Sequence, residues 1–288
     1  MPNTQALKSR IRSVKSTKQI TKAMQLVAAS KMRRAQEATK ASAPYTDAAR
    51  QLLANLAGHT SVKGHALFTT RPVKTRLLVV IASDRGLAGA FNSNLTRLYA
   101  QELISDDRSG VGNATVTIGR KAAQFVARLK DTEVLGSYQD LPDRPDGHEL
   151  HAILDTVRQK FESGTVDAVD LVYTEYVNSV VQRATVKRVL PAGQDIEPDI
   201  SHQDVAYEPS AEEVLDGVAY RLVEAQIFQA LLDSRASEYS MRMMAMKNAT
   251  DNATDLIDDL TLEMNKVRQS AITQEIAEIS GGVEALND

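Results

Sequence analysis

Apolar residues recur at helical spacing over both ends of the chain and as continuous β-branched runs between them. The C-terminal helical stretch is the longer. After Pro209 there is no further proline, and Gly217 is the only glycine before the Gly281–Gly282 pair. Ser210 and Glu213 form a capping-box pattern, in which each side chain satisfies an orphan amide of the first turn. A helix from there to a stop at Gly281–Gly282 extends about 105 Å at ~1.5 Å per residue. That exceeds the width of a domain of this size, so the helix is expected to be a shaft, a coiled-coil arm or a membrane element. Its seam is Tyr239, Met243, Met246, Ala249, Ala253, Leu256, Leu260, Met264, Val267 and Ala271. The repeat is about 3.56 residues, between a strict heptad and a straight helix.

Residues 4–57 predict a second long helix, with no proline or glycine between Asn3 and Ala43 and good helix formers throughout. Pro44 marks a kink or short break, beyond which helical character continues to Gly58. The seam runs Leu7, Ile11, Val14, Lys18, Thr21, Gln25, Ala28, Met32 and Ala35, regular in spacing but polar in the middle. Ile20, Met24 and Val27 draw a second apolar line on another face, and a helix apolar on two sides wants two neighbours. Either it is sunk in a bundle or it is surrounded by separate subunits. The first helix leads into the middle of the chain and the last leaves it, so packing them together makes them antiparallel. At ~1.5 Å per residue they measure about 80 and 105 Å, so roughly the last 16 residues overhang if the bases are level. Val267, Ile272, Ile276 and Ile279 then lie at or beyond the end of the internal partner, and another molecule must bury them.

Between the helices the periodicity changes. His59 to Lys74 is a polar linker, and Arg76 to Ala82 (RLLVVIA) reads as a strand buried on both faces. A glycine-containing loop, Ser83 to Ala90, leads to a helix over Asn92–Ile104. Strand Ala114–Ile118, helix Arg120–Lys130, strand Thr132–Leu135 and helix His148–Ser163 follow. Strands Ala168–Val177 and Val180–Leu190 close the region, joined by a tight hairpin at Asn178–Ser179. The expected fold is α/β plus a long antiparallel two-helix coiled coil: a Rossmann-like, mostly parallel sheet inserted between N- and C-terminal helices. The segments are an N-terminal shaft helix (1–57), a linker (58–75), an α/β domain (76–209) and a C-terminal shaft helix (210–288).

Composition narrows the possibilities. Hydrophobic residues make up 43% and charged residues 25%, the proportions of a folded globular chain. With no cysteine, disulfides, thiolate metal sites and thiol nucleophiles are excluded. The longest clean apolar run, Leu77 to Ala82, falls far short of the ~20 residues of a bilayer span. Net charge is −3, yet residues 1–40 carry ten basic residues against Glu37 alone. An acid-poor, amphipathic start fits a transit peptide, a nucleic-acid or anionic-membrane patch, or a solvated face beside an acidic partner.

Candidate chemistry is sparse. SDRGLAGAFN (Ser83–Asn92) sits where α/β folds bind phosphates, but Gly86 and Gly89 do not make GxGxxG and no Gly-Lys-Ser/Thr follows. A structural strand-to-helix turn is the simpler reading. His148 and His151 share a helix face without a second ligand pair. Glu212 and Glu213 suit the helix N-terminus, and Asp255, Asp258 and Asp259 suit a solvated face. There is no GxSxG or HExxH pattern, so catalytic, cofactor and metal residues are expected to be absent.

Specific stretches carry a resemblance. LKSRIRSVKSTKQITKAMQLVAASKMRRAQ (Leu7–Gln36), SDRGLAGAFN, VAYEP (Val205–Pro209) and the region from Ser237 to Leu286 resemble the gamma-subunit family of F-type ATP synthases. Departures are Ala88 and Ala90, where that family often has cysteine or glycine, and Val283, where alanine is usual. The resemblance implies a non-catalytic rotor without a cofactor. Its partners are one ring of alpha and beta subunits per copy, an epsilon subunit and a membrane ring of c subunits, with no nucleic acid. It implies beta-subunit contacts at Lys22, Met24, Arg242, Arg268, Gln269, Thr273, Glu275 and Glu278. Ile272, Ile276 and Ile279 match an apical bearing, and Tyr207 and Glu208 a foot facing the membrane ring. The basic residues fall inside the matching helix, which disfavours a transit peptide and points to the cytoplasmic face of a bacterial plasma membrane. The competing expectations are a coiled-coil scaffold or nucleic-acid binder, and a nucleotide-binding α/β enzyme with helical arms.

Overall fold

The computed structural model describes residues 4–58, 65–130, 132–143, 147–193 and 211–287. Ser210 of the predicted capping box lies outside them, as do Tyr207 and Glu208. The chain divides into two compact units, one of residues 29–242 and one pairing residues 1–28 with 243–288.

The larger unit is built on five strands. These are β1 (Thr75–Ile81), β2 (Gly112–Ile118), β3 (Glu133–Tyr138), β4 (Ala168–Tyr176) and β5 (Gln182–Leu190). They lie in the order β3-β2-β1-β4-β5. The first four run parallel, and β5 returns antiparallel to β4. Three helices connect them: α2 (Phe91–Ser109), α3 (Arg120–Val126) and α4 (Gly147–Glu162). The two long helices are α1 (Thr4–Gly58) and α5 (Ala211–Asn287).

Side-chain alternation along β1 assigns its two faces. Leu78 and Val80 pack with Leu95 and Tyr99 of α2 and Ala122 and Val126 of α3. Leu77, Val79 and Ile81 face a larger core containing Ile153, Val157 and Phe161 of α4. That core also takes Ala49 and Leu53 from α1, and Ala219 to Leu231 from α5. These helix segments therefore serve as layers of the α/β unit as well as parts of long rods. At ~25 cal/mol per Å² of apolar area buried, such residues are the main source of cohesion here.

Several boundaries differ from the sequence-based expectation. Helix α2 continues five residues past Ile104, because nothing stops it before Gly110, whose φ of 71° closes it with a left-handed cap. Helix α3 is regular only to Val126 rather than Lys130. The tight two-residue hairpin is instead a longer turn: Asn178 donates its amide to Val181 while its side chain accepts from the amides of Val180 and Val181. Helix α1 runs through Pro44 unbroken. Pro44 and Lys40 are both exposed, so the carbonyl left without its usual amide partner is open to water. Helix α5 does not stop at Gly281–Gly282 but runs to Asn287. Two glycines cost about 1 kcal/mol each relative to alanine without breaking a helix that resumes in Val283-Glu284-Ala285-Leu286.

A charged cluster lies at the start of β1. Arg76 donates Nε to Asp170 of β4 and Nη1 to Glu102 (2.7 Å) and Asp106 (3.2 Å) of α2, while Arg188 of β5 also holds Asp170. Asp170 is 1% exposed. Burial pushes the Asp106 carboxyl up, against the pull of Arg76. The cluster ties three strands and a helix together.

In the smaller unit Leu7 and Ile11 of α1 pack with Leu260 of α5, flanked by Val14, Ile257, Met264 and Val267. Nearer residue 28, Thr250 donates to Thr21 at 2.8 Å. Partner numbers fall as α1 numbers rise, which makes the pair antiparallel. The α1 seam is the predicted one. On α5, Ile257 takes the place expected of Leu256, which stays 39% exposed. The seam keeps step with the real helical repeat rather than with the spacing assigned to it.

Removing one member of a buried ion cluster strands the others, a loss of roughly 3–5 kcal/mol. Asp170→Ala is expected to lower unfolding stability by an amount in that range, measured from denaturant midpoints at constant slope. Arg108→Ala, on the exposed end of α2, is expected to change it little.

Candidate functional site

The crevice outside the carboxyl ends of parallel strands is where open α/β sheets usually hold a ligand. In this chain it is filled from within. After β1, Ser83 donates Oγ to the Arg85 carbonyl (2.7 Å) and its amide to Asn92 Oδ1 (3.2 Å), closing the turn on itself. Asp84 Oδ1 accepts the amides of Arg120 (2.9 Å) and Asp140 (3.1 Å), which begin α3 and follow β3. Gly119 has φ 92°, and a Cβ there would stand 2.1 Å from the Ala82 carbonyl oxygen. Glycine is required at that crossing.

Helix α5 supplies the filling. Arg235 donates Nη2 to the Leu141 carbonyl at 2.8 Å and lies 3.9 Å from Asp84. Glu238 pairs with Arg235 (3.6 Å) and with Arg242 (2.7 Å). Arg242 donates Nη2 to the carbonyls of Arg85 and Gly86, both at 3.2 Å. Tyr239 donates to Asp143, which also accepts Lys31 Nζ at 2.9 Å. Burial alone would raise Asp143, but the hydrogen bonds from Lys31 and Tyr239 outweigh it and hold the carboxyl below its ordinary range. Burial, reinforced by that bond to Asp143, pushes the Tyr239 hydroxyl up, so it remains a donor. The space left among Asp84, Gly119, Leu231, Arg235 and Glu238 is about 10 Å³, room for one water at most. A nucleotide does not fit there, which removes the observation that favoured the enzyme reading.

The expected site residues are scattered. Arg242 is 9% exposed and engaged by its own chain. Lys22 is exposed and reaches Gln25 Oε1 at 3.3 Å, while Met24 is half-buried. Ile20 and Val27 are each 58% exposed. Arg268, Gln269, Thr273, Glu275 and Glu278 are exposed on α5, with Thr273 Oγ1 bonded to the Gln269 carbonyl and Glu278 accepting Gln274. Every residue from 268 to 280 is exposed. Within that stretch Ile272, Ile276 and Ile279 fall in one sector roughly 60° wide at ~100° per residue. The sector is turned about 130° from the line of Ala253, Leu260 and Val267 that packs on α1. The apolar stripe is thus a second side, beginning where the internal seam ends.

The sequence reading missed Arg235, Glu238 and the serines at 234, 237 and 240. Their signal was present: a polar run, SRASEYSMR, within an otherwise apolar, well-packed helix. Among the described residues no three of His, Cys, Asp or Glu are grouped to hold a metal, and no helix is long and apolar enough to cross a membrane. His151 lies 3.9 Å from Glu224.

The fold is a mostly parallel five-stranded α/β unit set in sequence between two long helices, with its strand-end crevice filled by α5. The chain belongs to the ATP synthase gamma chain family. The family model described as ATP synthase matches residues 3–286. The ATP synthase gamma chain of Chloroflexus aurantiacus is 41% identical over 292 residues, covering 99% of each chain. Among solved structures, a chain in the central stalk and c-ring of the Tetrahymena thermophila mitochondrial ATP synthase is 25% identical. It matches with a TM-score of 0.59 over 80% of this chain and 99% of that one. A chain in the rotor of the Euglena gracilis enzyme shares the fold at 17% identity, with a TM-score of 0.63 over 93% and 98%.

One α5 carboxylate titrates in an unusual range. Burial pushes Asp233 up to about 7, against the pull of a 3.0 Å hydrogen bond from Gln229; Glu175 raises it further and Lys187 lowers it. The folded state therefore holds a proton that the unfolded chain releases near pH 4. Stability falls as pH rises through the window between those values and then levels off. Asp233→Asn is expected to unfold at a higher temperature than the parent at pH 8, with the gap closing toward pH 4. A gap independent of pH would contradict this assignment.

Proposed function

We propose that this chain is the non-catalytic rotor of an ATP synthase central stalk. It couples rotation of a proton- or sodium-driven membrane ring to the conformational cycle of catalytic beta subunits. The observation that carries the reading is the 268–280 stretch. In a chain related over its whole length to ATP synthase gamma chains, α5 extends an exposed isoleucine stripe past its last contact with α1. Exposed apolar surface of this kind calls for a protein neighbour.

In this reading Ile272, Ile276 and Ile279 turn inside a hydrophobic sleeve formed by the ring of alpha and beta subunits. Stripe residues of one kind and similar size offer no deep knob for a hole, so barriers to turning stay low. Arg268, Gln269, Thr273, Glu275 and Glu278 flank the stripe and meet the beta subunits as each passes. Lys22 and Met24 do so lower down, and Arg242 offers only the edge that its own chain leaves free. Exposed ion pairs are worth about 0–1 kcal/mol each, enough to favour one orientation and weak enough to exchange during rotation. The two faces of α1, and the two sides of α5, make the rod asymmetric, so three equivalent neighbours meet three different surfaces. The phosphoryl chemistry belongs to the beta subunits. Tyr207 and Glu208 are assigned to the face toward the ring of c subunits, with an epsilon subunit beside it. The complex sits on the cytoplasmic face of a bacterial plasma membrane.

Reconstitution tests the reading. One copy of the chain is expected to join three alpha and three beta subunits and to switch on their cooperative ATP hydrolysis. Equal activity with and without it would sink the proposal, as would self-association or salt-sensitive DNA binding in place of assembly. Truncation from Ile276 onward is expected to weaken assembly and lower hydrolysis several-fold, with the α/β unit's unfolding midpoint unchanged.

A further inference from the structure

The segment 234–242 of α5 is held in an unusual way. Arg235, Glu238, Tyr239 and Arg242, spaced i, i+3, i+4 and i+7, share one side of the helix. They bind the loops after β1 and β3: Leu141, Asp143, and the carbonyls of Arg85 and Gly86. Ser234, Ser237 and Ser240 are centred about 150° round the helix from them. Ser234 Oγ accepts the Thr174 amide (3.2 Å) and Ser237 Oγ donates to the Thr174 carbonyl (3.2 Å), both on β4. Ser240 Oγ donates to the Ser179 carbonyl (2.6 Å) and accepts from Gln182 (3.2 Å), in and after the β4–β5 turn. Most of these partners are backbone atoms of the sheet and its turns.

We infer that residues 234–242 form a torsional clamp, two opposed polar rails that stop α5 from turning about its own axis within the α/β unit. This rests on the rotor reading. Apolar contacts are non-directional and tolerate sliding, whereas hydrogen bonds weaken steeply with misalignment, and those to charged groups are the stronger kind. A hold on one side only would let the helix roll; holds on opposite sides resist a couple. The partners are spread over β4, three loops and the 31 position of α1, so the load does not fall on one loop. For a rod that delivers torque, such a grip is what keeps rotation of the α/β unit and rotation of the helix the same angle.

The absence of cysteine allows a single label. With Ser93→Cys on the exposed face of α2, a bead is attached to the α/β unit of the complete chain, assembled with alpha and beta subunits fixed to a surface. Thermal angular variance of the bead is measured without ATP, and hydrolysis is measured in parallel. Ser237→Ala combined with Tyr239→Phe removes one hydroxyl from each rail and preserves shape. The clamp predicts that the variance at least doubles while hydrolysis stays at the parent rate, with each single variant in between. Unchanged variance in the double variant overturns the clamp and leaves the rotor reading standing. If the Ser93→Cys parent itself fails to switch on hydrolysis, the rotor reading falls and the clamp's purpose with it. Should the double variant not assemble, Ser237→Ala alone decides: a rise in variance supports the clamp, and none refutes it.

Discussion

A 77-residue helix is far longer than any core this chain can build, and that mismatch governs the molecule. Along α5 the same backbone meets three environments in turn. Residues 219–240 are covered almost all round, as part of the α/β core. From Met243 to Val267 one stripe is covered by α1 and the rest is exposed. From 268 to 280 every residue is exposed. Hydrophobic burial declines in steps along the rod, so cohesion sits at one end of the helix and availability to other molecules at the other.

The covered end is secured by more than apolar contact. A helix packed only by grease is free to roll or to slide in register at small cost, since such contacts lack direction. In this unit the ends of the parallel strands, the usual place for a ligand, are instead bound to α5 by arginine, tyrosine and serine side chains. A structural use has taken the place of a binding one. The buried Arg76 cluster does similar work at the opposite edge of β1, where it fixes strands to α2.

The α/β topology was legible because strand and helix periods alternate cleanly and β1 is apolar on both faces. The antiparallel pair and the exposed end followed from counting residues in two uninterrupted helices. Helix ends were less legible, since Gly281–Gly282 resembles a stop but is followed by residues that favour helix. Leu256 was assigned to the seam because one-residue offsets cannot be separated by spacing when the repeat lies between two ideal values. The polar grip of 234–242 escaped notice because its partners are carbonyls and amides of distant loops. Backbone atoms leave no residue type to find in the sequence. The proposed contact residues come from the resemblance to a known family, and no pattern in the chain singles them out from other exposed side chains.

The central claim is that this chain turns as a rigid axle while its partners do chemistry. Watching a bead on the α/β unit of the assembled complex during ATP hydrolysis tests that most directly. The account predicts sustained rotation in one direction, stopping when ATP is removed and resuming when it is restored. Continued hydrolysis with the bead fluctuating about a fixed angle would contradict it.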